Sequence, residues 1–367
     1  MADGVGAPAS CSVERVSRAD VAVPVSGDAH LSAHTTLRVG GPARRFVVAR
    51  TERELIAEIA AADEAGTPVL VLGGGSNVLV ADEGFPGLVV RVALTGLEAD
   101  VSACGGAVVR VGAGENWDDF VAYAVAQEWG GVEALSGIPG SVGATPIQNV
   151  GAYGVEVAQL IYSVRTYDRR TGQARTFAAA DCGFEYRSSL FKREPGRYVV
   201  LSVTFQLELA SLSAPIRYAE LAQALGVELG HRADARLVRE TVLAIRGRKG
   251  MVLDDADHDT WSAGSFFTNP VLGADEADLL PPGAPRFPLA DGRVKTSAAW
   301  LIQHAGFERG HRLGEAGLSG KHVLALTNRG RAGAADLVAL ARQVRDGVRD
   351  AFGIVLTPEV NLVGVTL

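Results

Sequence analysis

Cysteine is scarce in this chain, with three residues, Cys11, Cys104 and Cys182, among 367. An odd number at such wide spacing supplies neither a disulfide framework nor a Cys-x-x-Cys metal site, and favours inert thiols in a reducing, cytoplasmic compartment. No uninterrupted apolar run approaches the ~18 residues that span a bilayer. The first thirty residues lack the basic start and apolar block of a secretory leader, and residues 1–28 are expected to form a flexible tail. Basic excess is missing as well: 35 Lys+Arg against 42 Asp+Glu give a formal charge of −7, and no general electrostatic pull toward nucleic acid. The seven histidines show no His-Glu-x-x-His or similar ligand spacing, so no metal is expected. What is plentiful is apolar residues, at 47%, which excludes a mainly disordered chain and fills two or three domains.

The early part of the chain alternates helical and strand patterns. Residues 53–65 place Leu55, Ile56 and Ile59 on one helical face, with Gly66 able to end the helix. Val69–Leu72 reads as a short strand, followed by strands near 88–94 and 107–111. Asn116 is placed to cap a helix running to Glu128, and Asp234 one running toward Arg248. From Val199 the pattern alternates, with Val203, Phe205, Leu207 and Leu209 expected on one face. Ala334–Phe352 carries Leu337, Leu340, Val344, Val348 and Phe352 at helical spacing. Loop signals at 254–260 and 280–288 put a domain boundary near residue 250. The fold class expected is α+β.

Two glycine clusters point to a ligand. VLVLGGGSNVLV (69–80) runs a strand into Gly73, Gly74 and Gly75, followed by Ser76 and Asn77. Such a turn lets backbone N–H groups converge on an anion. It is not a Rossmann loop, because Val78 stands where the third glycine belongs, and no G-x-x-x-x-G-K-[ST] occurs. The second cluster, SGIPGSVGATPIQNVGAYG (136–154), has five glycines in nineteen residues, more than a connection needs. Together they fit a long diphosphate-bearing cofactor in a dinucleotide fold of another kind.

GGGSNVL (73–79), SGIPGSVGATPIQNVGAYG (136–154), YRSSLFK (186–192), GSFFTNP (264–270) and PEVNLVG (358–364) occur in one order. In that order they resemble the UDP-N-acetylenolpyruvoylglucosamine reductase family, over about residues 30–367. The resemblance implies a two-part FAD-binding unit of the vanillyl-alcohol-oxidase (PCMH) type plus a C-terminal α+β substrate-binding domain. Its segments would be 29–93 and 94–249 for the FAD unit, 250–352 for the substrate domain, and 353–367 as a strand returning to the active site. It implies a cytoplasmic flavoprotein of peptidoglycan synthesis, serving cell-wall biogenesis, cell shape and division. NADPH would reduce the enolpyruvyl ether of a UDP-sugar through FAD, with no obligate protein partner. IRYAEL (216–221) is similar to the tyrosine-bearing loop of the type I members, with Tyr218 as the tyrosine.

By the same resemblance Arg187 binds the substrate carboxylate, Ser265 delivers a proton and Glu359 assists the enolate-like charge. The chemistry suits them: a planar cationic fork, a hydroxyl pressed against the carbon, and a carboxyl that must be protonated to donate. The cofactor-binding residues implied are Gly73, Gly74, Gly75, Ser76, Asn77, Ser136, Gly137, Ile138, Pro139, Gly140, Ser141, Gly143, Ala144, Thr145, Asn149, Gly151, Ala152 and Gly154. Substrate contacts implied are Tyr153, Tyr186, Tyr218, Lys249 and Asn269. The sequence departs from the family at Gln303 and His304, where an acid followed by glutamine is usual; packing is expected of His304. A flavin oxidase and a binding module that has lost catalysis are the alternatives. The first usually tethers flavin through His or Cys, which neither glycine cluster contains; the second predicts loss of Arg187, Ser265 or Glu359.

Overall fold

The computed structural model describes residues 12–18 and 29–367. Near the start of the larger segment, three parallel strands lie in the order Ala43–Ala49, Phe85–Val92, Val69–Leu72. The helix Glu52–Glu64 packs on one face of this sheet through Leu55, Ile59 and Ala62. Thr51 starts it with a reciprocal cap, accepting from Glu54 N–H at 3.2 Å while the Glu54 carboxylate accepts from Thr51 N–H. Gly66, with φ +64°, turns the chain out of the helix.

A larger antiparallel sheet follows, with strands in the order Glu14–Arg18, Leu97–Ser102, Gly106–Gly112, Tyr198–Leu209, Ile161–Asp168, Gln173–Ala178. Trp117–Ala126 packs on it beneath an Asn116 cap, and the rings of Trp117, Phe120 and Phe205 meet at 5.0–5.9 Å. This helix stops before Glu128, which has φ +58°, because Trp129–Gly130 must pair with the end of Tyr198–Leu209. The alternation in that long strand holds for Val203, Phe205 and Leu207, all buried, but Leu209 is 46% exposed. There the strand has run past the core.

A second core gathers the helices Ala298–His304 and Ala334–Phe352 around the strands Ala316–Leu318 and Leu326–Asn328. Leu37, Val39 and Leu79 from the first part of the chain also enter it. Asp82 caps the helix Ala334–Phe352 from outside, accepting from Ala334 N–H at 2.7 Å and Ala335 N–H at 3.0 Å. Finally Asn361–Val363 returns to pair in parallel with Val78–Val80, directly after the first glycine turn.

Two expectations need correction. Within the tail expected over residues 1–28, Glu14–Arg18 instead forms an edge strand on Leu97–Ser102. Arg18 anchors it by pairing with the buried Glu115 and lying over the Tyr123 ring, partners that no local pattern reveals. The rest of the tail, with Cys11, falls outside the described residues. Cys104 is disulfide-bonded rather than a free thiol; an odd count rules out complete pairing, not one bridge. Cys182 is free and buried, and burial pushes its thiol up to about 12. Among the described residues no helix is long and apolar enough to cross a membrane.

Asp82 joins the two cores through a helix terminus. Asp82→Ala is therefore expected to cost about 1 kcal/mol of stability in urea unfolding, with Asp82→Asn retaining most of it; equal, negligible losses would remove this cap from the account.

Candidate active site

The two glycine turns interlock. A Cβ on Gly74 would lie 2.5 Å from Gly140 Cα, one on Gly140 2.7 Å from Ser76 Oγ, and one on Gly73 2.6 Å from Ser141 Oγ. Ser76 closes the contact by donating its hydroxyl to Pro139 O at 2.9 Å. Asn77 reaches two further elements, its Nδ2 donating to Gln148 Oε1 at 2.8 Å and Glu359 O at 3.2 Å. The result is a cleft of about 410 Å³ walled by both turns and by the C-terminal part of the chain.

Arg187, Ser265 and Glu359 all line this cleft. Arg187 has φ +52°, a left-handed conformation rare for a side chain of its size. It is held by Nη2 donating to Gly151 O at 2.9 Å, Nη1 to Asn149 O at 3.4 Å, and Lys192 Nζ donating to its own carbonyl at 3.0 Å. Its Nε lies 3.0 Å from Glu359 Oε1, an ion-pair contact that lacks hydrogen-bond alignment. Ser265 precedes Phe266 and Phe267, each 1% exposed, so the backbone there is fixed by packing. Glu359 N–H donates to Phe266 O at 2.8 Å, and Phe266 N–H to Leu324 O at 2.8 Å. These bonds tie the backbone of Glu359 to the residue that follows Ser265. Burial raises the Glu359 carboxyl above its ordinary range, against the opposing pull of Arg187 and Lys192.

The implied cofactor residues divide into two layers. Ser76, Asn77, Ile138, Pro139, Ser141, Ala144, Thr145, Gly151 and Ala152 line the cleft. Gly73, Gly74, Gly75, Ser136, Gly137, Gly140, Gly143, Asn149 and Gly154 lie outside that lining. Several of these serve the scaffold: a Cβ at Gly75 would strike His34 O at 1.8 Å, and the buried Ser136 hydroxyl donates to Glu133 O. Asn149 spends its side chain on Glu156, Glu185 O and Ala158 N–H.

Of the implied substrate contacts, Tyr153, Tyr218 and Lys249 line the cleft, whereas Tyr186 and Asn269 do not. Tyr186 is 40% exposed, under Lys295 Nζ at 4.8 Å. It hydrogen-bonds Asn269, whose Oδ1 also accepts from Ala298 N–H at 3.0 Å. Tyr218 meets Tyr153 edge-on at 5.4 Å, and Lys249 pairs with Glu220 at 2.6 Å, clasping the 216–221 segment to the cleft. His304 stacks on Trp300 at 3.6 Å and stays outside.

Two ionisable lining residues escaped the sequence reading. Arg246, 8% exposed, donates to Met251 O but keeps a buried Nε without a partner. Only its place one step beyond Ile245 on the apolar face of Ala235–Arg248 hinted at burial. His322 sits on the turn between Ala316–Leu318 and Leu326–Asn328, and no spacing signals it. Glycine-walled turns and a buried cation with an unpartnered Nε suit an elongated anionic cofactor. FAD fits that description.

Residues 43–177 match the model of the FAD binding domain family, and residues 255–363 that of the UDP-N-acetylenolpyruvoylglucosamine reductase C-terminal domain. The chain is similar to the UDP-N-acetylenolpyruvoylglucosamine reductase of Cutibacterium acnes, at 62% identity over 343 residues, covering 93% of this chain and 90% of that one. It is 55% identical over 360 residues to the same-named protein of Saccharopolyspora erythraea, covering 95% and 98%. The crystal structure of the reductase from Thermus caldophilus superposes with a TM-score of 0.59 at 26% identity, over 96% of this chain and 99% of that one.

Because burial raises the Glu359 carboxyl, its contribution to stability is complete below the ordinary value of 4.5 and is lost as pH rises through the higher folded value. Glu359→Gln, which has no proton to lose, is expected to gain in Tm relative to the unsubstituted protein as pH climbs from 4.5 toward neutrality. A difference in Tm that stays constant over this range in scanning fluorimetry contradicts the direction given.

Proposed function

Because the chain belongs to the UDP-N-acetylenolpyruvoylglucosamine reductase family, we propose that its cleft reduces the enolpyruvyl ether of UDP-N-acetylglucosamine to UDP-N-acetylmuramate with NADPH and FAD. The chain is an oxidoreductase of peptidoglycan precursor synthesis. One observation supports this assignment of the site above all: Arg187, Ser265 and Glu359, from three distant stretches, meet in a cleft walled by both glycine turns. FAD, when bound, supplies the two-electron chemistry that connects a nicotinamide to an activated double bond.

The chain's own residues manage the charge and the proton. After hydride addition at the far carbon of the enol ether, negative charge develops beside the substrate carboxylate. Arg187 retains donors beyond those spent on Asn149 O and Gly151 O, and turns them on that carboxylate. Glu359, whose carboxyl burial biases toward the protonated form, donates a hydrogen bond to the same charge when it carries its proton. Ser265 gives its hydroxyl proton to the carbon next to the carboxylate: the O–H bond breaks, the C–H bond forms, and water returns the proton. Phe266 and Phe267 keep bulk solvent from the back of this hydroxyl.

Tyr153 and Tyr218 close the cleft toward the UDP-sugar, which supports the loop-containing type I assignment. Lys249 is the cation that exchanges Glu220 for a ligand phosphate. Cytoplasmic placement follows from the nucleotide-linked substrate and NADPH.

The purified protein is expected to be yellow; a colourless protein that does not take up FAD overturns the reading of the glycine turns. Under anaerobic conditions Ser265→Ala should slow flavin reoxidation by the enol ether by roughly 10²–10⁴ more than it slows flavin reduction by NADPH. Equal losses in both half-reactions would make Ser265 structural. Arg187→Lys is expected to impair reoxidation as well, since a point charge cannot replace the planar fork; unchanged turnover removes Arg187 from the mechanism.

A further inference from the structure

His322 is a titratable group inside the cleft that the chemistry above does not use. Its Nε2 lies 3.5 Å from Ser265 Oγ, and both side chains line the cleft. Among the described residues no other side chain forms a hydrogen bond with that hydroxyl. The approach is fixed from both sides by backbone. His322 N–H donates to Ser319 Oγ at 3.3 Å and its carbonyl accepts from Ala325 N–H at 3.0 Å, closing a tight turn. Leu324 in the same turn accepts from Phe266 N–H, the residue after Ser265. On the other side Gly264, at φ +70°, has its N–H bonded to Ser262 Oγ.

We propose that His322 is a positioning residue for the proton-donating serine, its Nε2–H donating to Ser265 Oγ so that the hydroxyl proton points into the cleft. The inference rests on the role given to Ser265 above. A serine hydroxyl is a weak acid, and two demands follow from that. Its proton must face the reacting carbon, and its oxygen must be stabilised as the O–H bond breaks. A neutral imidazole donating from Nε2 meets both: it occupies one lone pair of Oγ and strengthens its bond as charge grows there. If Nε2 instead accepted from the serine, the proton would be aimed away from the substrate.

The surroundings hold the ring neutral. Burial pushes the His322 imidazole down to about 4, assisted by the positive charges of Lys249, Arg309 and Arg246. A charged ring would add a third cation to the Lys249 and Arg246 side of the cleft, so the donating neutral tautomer is the form available for turnover. Water restores the proton to Ser265 after product leaves; the imidazole is neither consumed nor charged in the step.

The test uses the flavin-bound protein. His322→Leu is expected to slow reoxidation by the enol ether at least tenfold more than reduction by NADPH, and His322→Gln, whose amide can donate, to recover most of it. Nitrogen NMR of the imidazole in the unsubstituted protein at pH 6 should show a neutral ring protonated at Nε2; a charged ring or the Nδ1–H tautomer overturns the proposal even if the Leu variant fails to fold. Unimpaired reoxidation in His322→Leu, alongside a slow Ser265→Ala, overturns this inference alone. Unimpaired reoxidation in Ser265→Ala overturns the site assignment beneath it.

Discussion

The contact on which the cleft depends is the approach of one glycine turn to another. With Gly74 and Gly140 so near that no side chain fits between them, the parallel sheet and the segment 136–154 are locked edge to edge. Everything that reaches the cleft is referenced to this contact. Asn77 extends it to Gln148 and to the carbonyl of Glu359, and the strand Asn361–Val363 extends it along Val78–Val80. The second core is therefore fastened to the first at the glycine turns that wall the cleft. A substitution at Gly74 would disturb this packing.

The charged groups in the cleft are set by burial as much as by pairing. Arg187 and Glu359 lie 3.0 Å apart, yet desolvation still dominates the carboxyl and raises it. Taking an ion out of water costs several kcal/mol, and one imperfectly aligned partner does not offset this. An arginine committed to a fully ionised glutamate would have less to offer a substrate carboxylate. A carboxyl biased toward its protonated form holds the guanidinium less tightly than an ionised one does. Arg246 and His322 follow the same logic: burial pushes both toward their neutral forms, and Arg246 keeps an Nε without a partner.

What the sequence disclosed was mostly local. Thr51, Asn116 and Asp234 each sit at a helix start because a short polar side chain competes for free N–H groups, and the stripe in Ala334–Phe352 repeats the helical period. The trio proposed for catalysis was legible only through motifs resembling a family. What escaped depends on partners distant in sequence. His322 gains its meaning from a hydroxyl 57 residues away, and Arg18 from Glu115, 97 residues away. Ser136 and Asn149 look like ligand contacts in a glycine-rich run, but their side chains stabilise the turn itself. A motif marks which segment matters; it does not separate the residues that touch a ligand from those that shape the wall.

Backbone strain shows where local preference yields to the site. Among the described residues five non-glycine positions have positive φ, and three of them, Asn149, Tyr153 and Arg187, form or support the cleft wall. Each such residue costs on the order of 1–3 kcal/mol and persists only where its surroundings overdetermine it. Asn149 is held by three side-chain hydrogen bonds, Tyr153 by the ring of Tyr218, and Arg187 by two carbonyls and Glu359. Glycine would relieve the strain at any of the three. At Arg187 it would also remove the fork, at Tyr153 the ring that meets Tyr218, and at Asn149 the bonds that hold 149–158 and Glu185 together. The backbone is strained at these positions because each side chain is needed where only an unfavourable φ can put it.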